Sequence, residues 1–355
     1  MFSSALTTLK GFAVKNERHL TVAALLAGFI VDNLTLTRID VWFSHVILFA
    51  YLGIATTSII LLNAFPTGRF RQIMVYFMQY AFGGLFSGYI IFYSKSGTIL
   101  ANWPFYIILI ILFFGNEYIK HRYRQMVFQI GILFVSVFSF FIFFIPIIVG
   151  MIGPGIFIVS GIVSLIFIRL VIAVIKACTP RGVRQPYGMT AVTLISIYMV
   201  FNLLYFTNII PPIPLSLKDL GIYQSALRAS DGDFIVTGEH HPWHARITGL
   251  RVQYVPGRPL YAFSSVFAPT KITGTITHTW LVYDEVAGVW VPTSVIPFSI
   301  SGGRDDGYRG YSIKNNMEPG LWRVEVATER GQTLGRITFK AVPVDTLPKL
   351  ETNIR

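Results

Sequence analysis

Two hydrophobic rhythms divide this chain. Between about residues 20 and 210, apolar side chains come in seven long runs, near 20–36, 41–63, 72–93, 98–116, 126–150, 154–176 and 188–210. Each is close to the roughly 20 residues a helix needs to cross a bilayer. After residue 216 the runs shorten and begin to alternate. "FIVTG" (234–238), "ITGLRVQYV" (247–255), "YAFSSVF" (261–267), "TITHTWLVY" (275–283), "VWVPTSVIPF" (289–298), "LWRVEVAT" (321–328) and "TLGRITFKAV" (333–342) each read as a strand. Trp322, Val324 and Val326 fall on one face of theirs, and Arg323 and Glu325 on the other, the signature of a half-buried antiparallel strand. "ERGQ" between the last two strands reads as a hairpin turn, with Gly331 free to take a positive φ.

The pattern predicts an all-α membrane bundle of seven transmembrane helices followed by an all-β sandwich of immunoglobulin-like type, with Trp280 or Trp322 filling its core. Pro211, Pro212 and Pro214 mark the join, because proline fixes φ and lacks an amide donor. The expected organisation is an N-terminal arm (1–19), a membrane domain (20–210), a proline-rich exit (211–220), a β-domain (221–345) and a C-terminal tail (346–355). Within the helices, Gly84 and Gly88 and the glycines of "GPGIFIVSGIVS" (153–164) would let neighbouring helices approach closely.

Composition sharpens this division. Hydrophobic residues make up 53% of the chain and charged ones only 13%, about half the charge of a soluble protein. The net charge of +12 would suit a nucleic-acid binder, but residues 1–215 hold 14 Lys and Arg against 4 acids, while residues 216–355 hold 15 against 13. The excess therefore belongs to the membrane half, and no nucleic-acid partner is expected. Lys10, Lys15 and Arg18 precede the first run. Arg69 and Arg71, then Lys120, Arg122 and Arg124, then Lys176, Arg181 and Arg184 occupy every second connection, whereas the intervening ones hold Arg38, Lys95 and no basic residue. The positive-inside rule then puts the N-terminus in the cytoplasm and the C-terminal domain outside, in the periplasm if the membrane is a bacterial inner membrane. No cleavable signal sequence is expected, since the first apolar run lacks a small-residue cleavage site and six more follow. Residues 2–13 could form a short interfacial helix. Cys178 is the one cysteine, so the exported domain has no disulfide and must rest on its own core.

In the membrane half, Asp32 lies in the outer part of the first run, where a lone carboxylate is costly, with Arg38, Asp40 and His45 following on the same side. This cluster could serve a transporter or channel as an ion relay, or be a hydrated group of paired charges. Glu117 and Arg169 could pair between two helices.

In the β-domain, "EHHPWHAR" offers Glu239, His240, His241 and His244 as zinc ligands, but Pro242 breaks the helix that would gather them, and no metal or other cofactor is expected. "SGGRDDGYRGYSIK" (301–314) has the glycines of a phosphate cradle without the following helix that chemistry needs. Adjacent Asp305 and Asp306 cannot face each other across a glycosidic bond. With no nucleophile elbow or defensible triad spacing, no enzyme activity is expected. A ligand-binding loop built from Arg304, Asp305, Asp306, Tyr308, Arg309 and Tyr311 remains open, since guanidinium groups and aromatic faces suit carboxylates, phosphates and sugars. So does a structural turn. The first requires Arg309 and Tyr311 to face solvent; the second has Arg309 bonded to Asp305 or Asp306 and Tyr311 packed inward.

Residues 279–342 resemble the bacterial family labelled domain of unknown function 2914. The resemblance lies in Tyr308, Arg309, Tyr311, Ser312 and Lys314, then Gly320, Trp322, Arg323 and Val324, then Gly331, Leu334, Gly335 and Phe339. Tyr stands at 308 and 311 where many members have Trp. The membrane half, with "GFIVDNLTLTRID" and "GNEYIKHRY", is similar to longer members that place several spans before this domain. The resemblance implies a fold and a bacterial inner-membrane setting and supplies no catalytic residues. The expected partners are the lipid bilayer and an envelope glycan, lipid head group or membrane protein.

Overall fold

The computed structural model describes residues 27–36, 41–65, 69–96, 99–118, 125–179, 185–211, 214–230, 233–242, 249–269, 272–301 and 307–355. The chain separates into two compact units. One contains most of the helical residues. The other contains residues 204–355 together with the connections 93–103 and 145–156.

The second to seventh apolar runs form helices close to their predicted bounds, and the described part of the first is helical. Residues 27–35 are helical, followed by α1 (Trp42–Ala64), α2 (Arg69–Ser96), α3 (Ile99–Tyr118), α4 (Met126–Val149), α5 (Pro154–Cys178) and α6 (Tyr187–Phe206). Among the described residues five helices, α1, α2, α4, α5 and α6, are long and apolar enough to cross a membrane, while the apolar part of α3 is the shorter stretch Asn102–Phe114. The interfacial helix expected at 2–13 lies outside the described residues.

Small residues set the helix contacts inside the first unit. A Cβ on Gly84 would run into the Tyr51 ring of α1, and one on Gly88 into Leu48 and Leu36. Gly161 of α5 likewise faces Tyr198 of α6 and Phe138 of α4. Gly84, Gly88 and Gly161 thus meet neighbouring helices of the chain, whereas Gly153 and Gly155 have open space beside them. Phe134, Phe138, Phe140 and Phe143 of α4 are wholly buried. Near the opposite end of α1, buried Asn63 donates to Gln129 Oε1 (2.7 Å) and accepts from Gln185 Nε2 (3.4 Å), joining α1 to α4 and to the segment before α6.

Among the described residues the β-rich region holds eleven strands: β1 (Ser216–Tyr223), β2 (Ser225–Arg228), β3 (Phe234–Glu239), β4 (Leu250–Tyr254), β5 (Leu260–Phe267), β6 (Thr273–Asp284), β7 (Val289–Ser301), β8 (Tyr308–Lys314), β9 (Gly320–Thr328), β10 (Thr333–Pro343) and β11 (Leu350–Ile354). They make a five-stranded sheet ordered β4-β10-β9-β6-β7 and two three-stranded sheets, β1-β5-β8 and β11-β3-β2. Seven strands were legible in the sequence, while β1, β2, β8 and β11 were not. β1 begins inside the expected exit linker, and β11, formed from the expected tail, pairs with β3.

The β1-β5-β8 sheet is the middle layer. Leu220, Ile222, Ala262 and Val266 from one of its faces join Trp280, Trp322, Val324 and Phe339 of the five-stranded sheet in the main core. Phe263 and Tyr261 from its other face join Phe234 and Val236 of β3 in a smaller one. Side chains alternate across a strand, so β5, covered on both sides, is buried at nearly every position. Trp280 and Trp322 are both buried in the main core. The "ERGQ" turn joins β9 and β10 as an antiparallel pair, with Gly331 at φ 79°.

This unit also gathers two of the three connections poor in Lys and Arg, the one with Lys95 and the one at 145–156; the connection with Arg38 belongs to the helical unit. Ile152, between α4 and α5, packs onto the main β-core. Asn102 donates to the carbonyls of Asn208 and Ile209 beyond α6, and Gln332 of the β9–β10 turn donates to Ile210 O. The Arg330 guanidinium lies 4.3 Å from the Tyr205 ring centroid, and the carbonyl of the same residue accepts from Asn208 Nδ2.

Candidate functional site

The residues that carry the family resemblance are buried or partly buried, apart from Gly331. β8 alternates between its two neighbours, so Tyr308, Ser312 and Lys314 turn toward the five-stranded sheet, and Arg309 and Tyr311 toward β3. Ser312 is the centre of a buried polar cluster. Its Oγ accepts from Trp280 Nε1 (2.9 Å) and lies 2.9 Å from His278 Nδ1; His278 Nε2 is 2.7 Å from Ser264 Oγ. The indole can only donate, so it takes one lone pair of Ser312, and the hydroxyl's own proton and second lone pair serve either tautomer of His278. His278 is fully buried, with the Phe298 ring 4.8 Å away, and burial pushes its pKa down to about 4. Lys314 donates to Ser294 Oγ (2.8 Å) and lies 5.5 Å from the Trp322 ring centroid, its pKa lowered chiefly by burial. These groups lock β8 onto the sheet opposite.

The segment 301–314 is therefore a crossover between sheets, not a hairpin. It leaves β7 at the edge of the five-stranded sheet and enters β8 at the edge of the middle one. Arg304, Asp305 and Asp306 lie outside the described residues. Arg309 forms an ion pair with Asp233 (2.5 Å) and keeps only 15% of its side chain exposed. Tyr311 packs 6.0 Å from Phe234 and 5.9 Å from Tyr261, ring centre to ring centre. The solvent-facing arrangement required by a ligand loop is absent at these two residues. Among the described residues, the acidic partner of Arg309 is Asp233.

The remaining candidates are dispersed. Glu239 is occupied by Gln224 Nε2 and the amide of Gln253. His240 pairs with Glu351 at 3.1 Å on the surface, and His244 lies outside the described residues. Among the described residues no three His, Cys, Asp or Glu side chains gather as a metal site. Asp32 is half-buried beside Ser87 and within electrostatic reach of Tyr51, while His45 is buried against Phe140, Phe143 and Phe144. Arg38 and Asp40 lie outside the described residues. Arg169 is exposed on α5, and of Glu117 only the backbone is described.

Two surface features escaped the sequence reading. A cleft of about 210 Å³ opens beside β2 and the β4–β5 turn, lined by Gln224, Ser225, Thr237, Tyr254, Arg258 and Leu350 among others. Gln224 Oε1 is buried without a partner among the described residues. Gly257 takes φ 85° in that turn, and "VPGRP" (255–259) was the available signal. The second feature is the outward face of the five-stranded sheet, where the Arg323 guanidinium lies 3.8 Å from the Trp290 ring centroid.

A bundle of membrane-type helices joined to a β-rich C-terminal region is thus the class of protein this chain forms. Residues 273–341, from the start of β6 almost to the end of β10, match the family model described as "Protein of unknown function (DUF2914)". The match falls wholly within the β-rich C-terminal region. No curated protein matches the chain. Among solved structures, a β-glucosidase from Listeria innocua in complex with gluconolactone aligns at 11% identity and TM-score 0.22, over 37% of this chain and 18% of that one. The Pseudomonas fluorescens alkylpurine DNA glycosylase AlkC, bound to DNA containing an abasic site analog, aligns at 9% identity and TM-score 0.22, over 84% and 98%. This chain spans less than a fifth of the glucosidase's length. Scores this low carry no argument about fold or activity.

Proposed function

We propose that the protein is a seven-span bacterial inner-membrane protein, with its N-terminus in the cytoplasm, that displays a non-catalytic β-sandwich in the periplasm. There the domain recognises or scaffolds an envelope component: a polysaccharide, a lipid head group or a partner protein. The observation that carries this reading is the grouping of connections. Residues 93–103, 145–156 and 204–215, which hold Lys95 as their one basic residue, share a compact unit with the β-region. The connections with clustered Lys and Arg belong to the helical unit, as a chain that keeps its basic loops in the cytoplasm requires.

A recognition role is further supported by how the domain uses its polar residues. Ser264, His278 and Ser312 satisfy one another inside the core, and the polar side chains at its open cleft are neutral apart from one arginine. The immunoglobulin-like class is proposed for the two sheets that share the main core, with β11-β3-β2 added outside them. Transport through the Asp32 region is the second reading, favoured by the half-buried carboxylate beside Ser87.

Two measurements test the proposal. Alkaline phosphatase fused after residue 216 is expected to be active, and a fusion near residue 184 inactive; the reverse pair overturns the compartment. Crosslinking in native membranes is expected to capture an envelope component through the β-region in wild-type and Asp32→Asn protein alike. Loss of a transport phenotype in Asp32→Asn, with no capture by either form, would favour the second reading.

A further inference from the structure

The five-stranded sheet turns one face to the core and leaves the other outside. Pairing fixes which residues share the outer face. Arg251 of β4 lies opposite Lys340 of β10, Lys340 opposite Leu321 of β9, Leu321 is next to Tyr283 of β6, and Tyr283 faces Trp290 of β7. One row thus crosses all five strands, a span of about 19 Å at the usual strand spacing. In the neighbouring rows Arg323 lies opposite Thr338, and Arg336 opposite Glu325. Thr277 and Thr279 continue the same face on β6. It carries four cations, Arg251, Arg323, Arg336 and Lys340, against one carboxylate, Glu325. Such a charge imbalance is unlike the β-domain as a whole, whose acids nearly match its bases.

Glu325 is already engaged, with its Oε1 3.6 Å from Arg323 Nη1. Arg251, Arg336 and Lys340 are exposed, and among the described residues none of them forms an ion pair. Arg323 is held in place by the Trp290 ring, by Glu325 and by a 3.3 Å bond from its Nε to Thr338 Oγ1. Burial and the like charge of Arg336 both work against its protonated form. An anion lying between Arg323 and Arg336 would relieve that repulsion.

We propose that this outer face binds a carboxylate-bearing polysaccharide. The inference rests on the periplasmic recognition reading and names its ligand class and its surface. Guanidinium and ammonium groups across the sheet meet the carboxylates of successive sugar units, and the hydroxyls of Thr277, Thr279 and Thr338 face the sugar hydroxyls. Trp290 and Tyr283, with ring centres 5.2 Å apart, form an aromatic end against which a sugar ring packs. The length of the face distinguishes a chain ligand from a single head group, since one phosphate would engage only one or two of these cations.

The test uses the full-length protein in detergent micelles, with a polyuronate as probe, neutral dextran as control, and vesicles containing anionic phosphatidylglycerol as competitor. Wild type is expected to bind polyuronate and not dextran, with affinity falling as salt rises. Arg251→Gln/Arg336→Gln/Lys340→Gln, which changes three exposed positions and leaves the core intact, is expected to weaken binding about tenfold or more. Trp290→Ala tests the aromatic end and is expected to weaken binding at high salt as well. Absence of polyuronate binding, or an unchanged affinity in the triple variant, overturns the proposal; preference for the anionic vesicles overturns it in favour of a membrane-facing surface. Crosslinked capture of an envelope component that persists in the triple variant would refute this face and leave the broader recognition reading standing.

Discussion

Trp280 and Ser312 lie on different sheets, and the indole N–H of one donates to the hydroxyl of the other across 2.9 Å of closed core. That bond, together with the 2.9 Å contact between the same hydroxyl and His278 Nδ1, ties β8 to β6 at the centre of the β-region. Ser312→Ala would strip a partner from the indole and from His278 Nδ1 at once, where water cannot replace it. A buried donor or acceptor left alone costs about 1–3 kcal/mol. The variant is therefore expected to lose about 2–4 kcal/mol, read as a lowered melting temperature by tryptophan fluorescence of the full-length protein in detergent. A melting curve matching wild type would show that the bond carries no stability.

The same cluster makes stability depend on pH. His278 is pushed from its ordinary 6.5 down to about 4 by burial. Above pH 6.5 the ring is neutral in both folded and unfolded chains, and its full contribution is present. As pH falls from 6.5 toward 4 the unfolded chain takes up a proton that the folded one refuses, so stability declines; below about 4 both forms are charged and the decline ends. The separation corresponds to about 3 kcal/mol. His278→Gln cannot titrate, and denaturation followed across this window is expected to show a flatter profile for it than for wild type.

Sequence reading was most informative where a single periodicity dominates. Long apolar runs located the helices, and the Trp322, Val324 and Val326 alternation gave β9 its inner face. It was least informative for the middle sheet. β5 is covered on both sides, so its core face cannot be told by alternation, and β8 alternates between two different cores, Ser312 toward one and Tyr311 toward the other. Glycines and charges near 301–314 made a strand look like a loop. Asp233 lies 76 positions from Arg309, too far for local spacing to reveal it. The basic outer face was visible only as the outward positions of separate strands, and their registers bring it together.

Helix packing offers a test outside the β-region. Gly84 leaves room for the Tyr51 ring, which stacks edge-on against Tyr80 with centroids 5.7 Å apart. Ala at 84 brings one methyl to 2.5 Å from the Tyr51 ring, so the ring must shift away; Val adds branches that demand a larger separation of α1 and α2. Overpacking of this kind costs about 1–3 kcal/mol. Gly84→Val is expected to melt lower than Gly84→Ala, and Tyr51→Ala introduced into the Val variant is expected to recover part of the difference. Equal melting of all three would show that the two helices do not meet through this pair.

Arg309 and Tyr311 decide what the glycine-rich crossover is for. Both point at β3 and its approach, Arg309 to Asp233 and Tyr311 to Phe234 and Tyr261. Tyr311→Ala removes an aromatic ring from the smaller core and is expected to cost about 2–3 kcal/mol, below the range for a fully buried ring because the site is only half-buried. Arg309→Ala leaves Asp233 partly exposed and able to recruit water, so its effect is expected to stay near 1 kcal/mol. Asp233→Ala should then add little to Arg309→Ala, because the two act as one pair. If these residues instead contact a ligand, the double change Arg309→Ala/Tyr311→Ala would leave melting near wild type and abolish capture of the envelope component. The packed arrangement predicts the opposite order: a melting temperature lowered by several degrees, with binding to the outer face of the five-stranded sheet retained in protein that remains folded at the assay temperature.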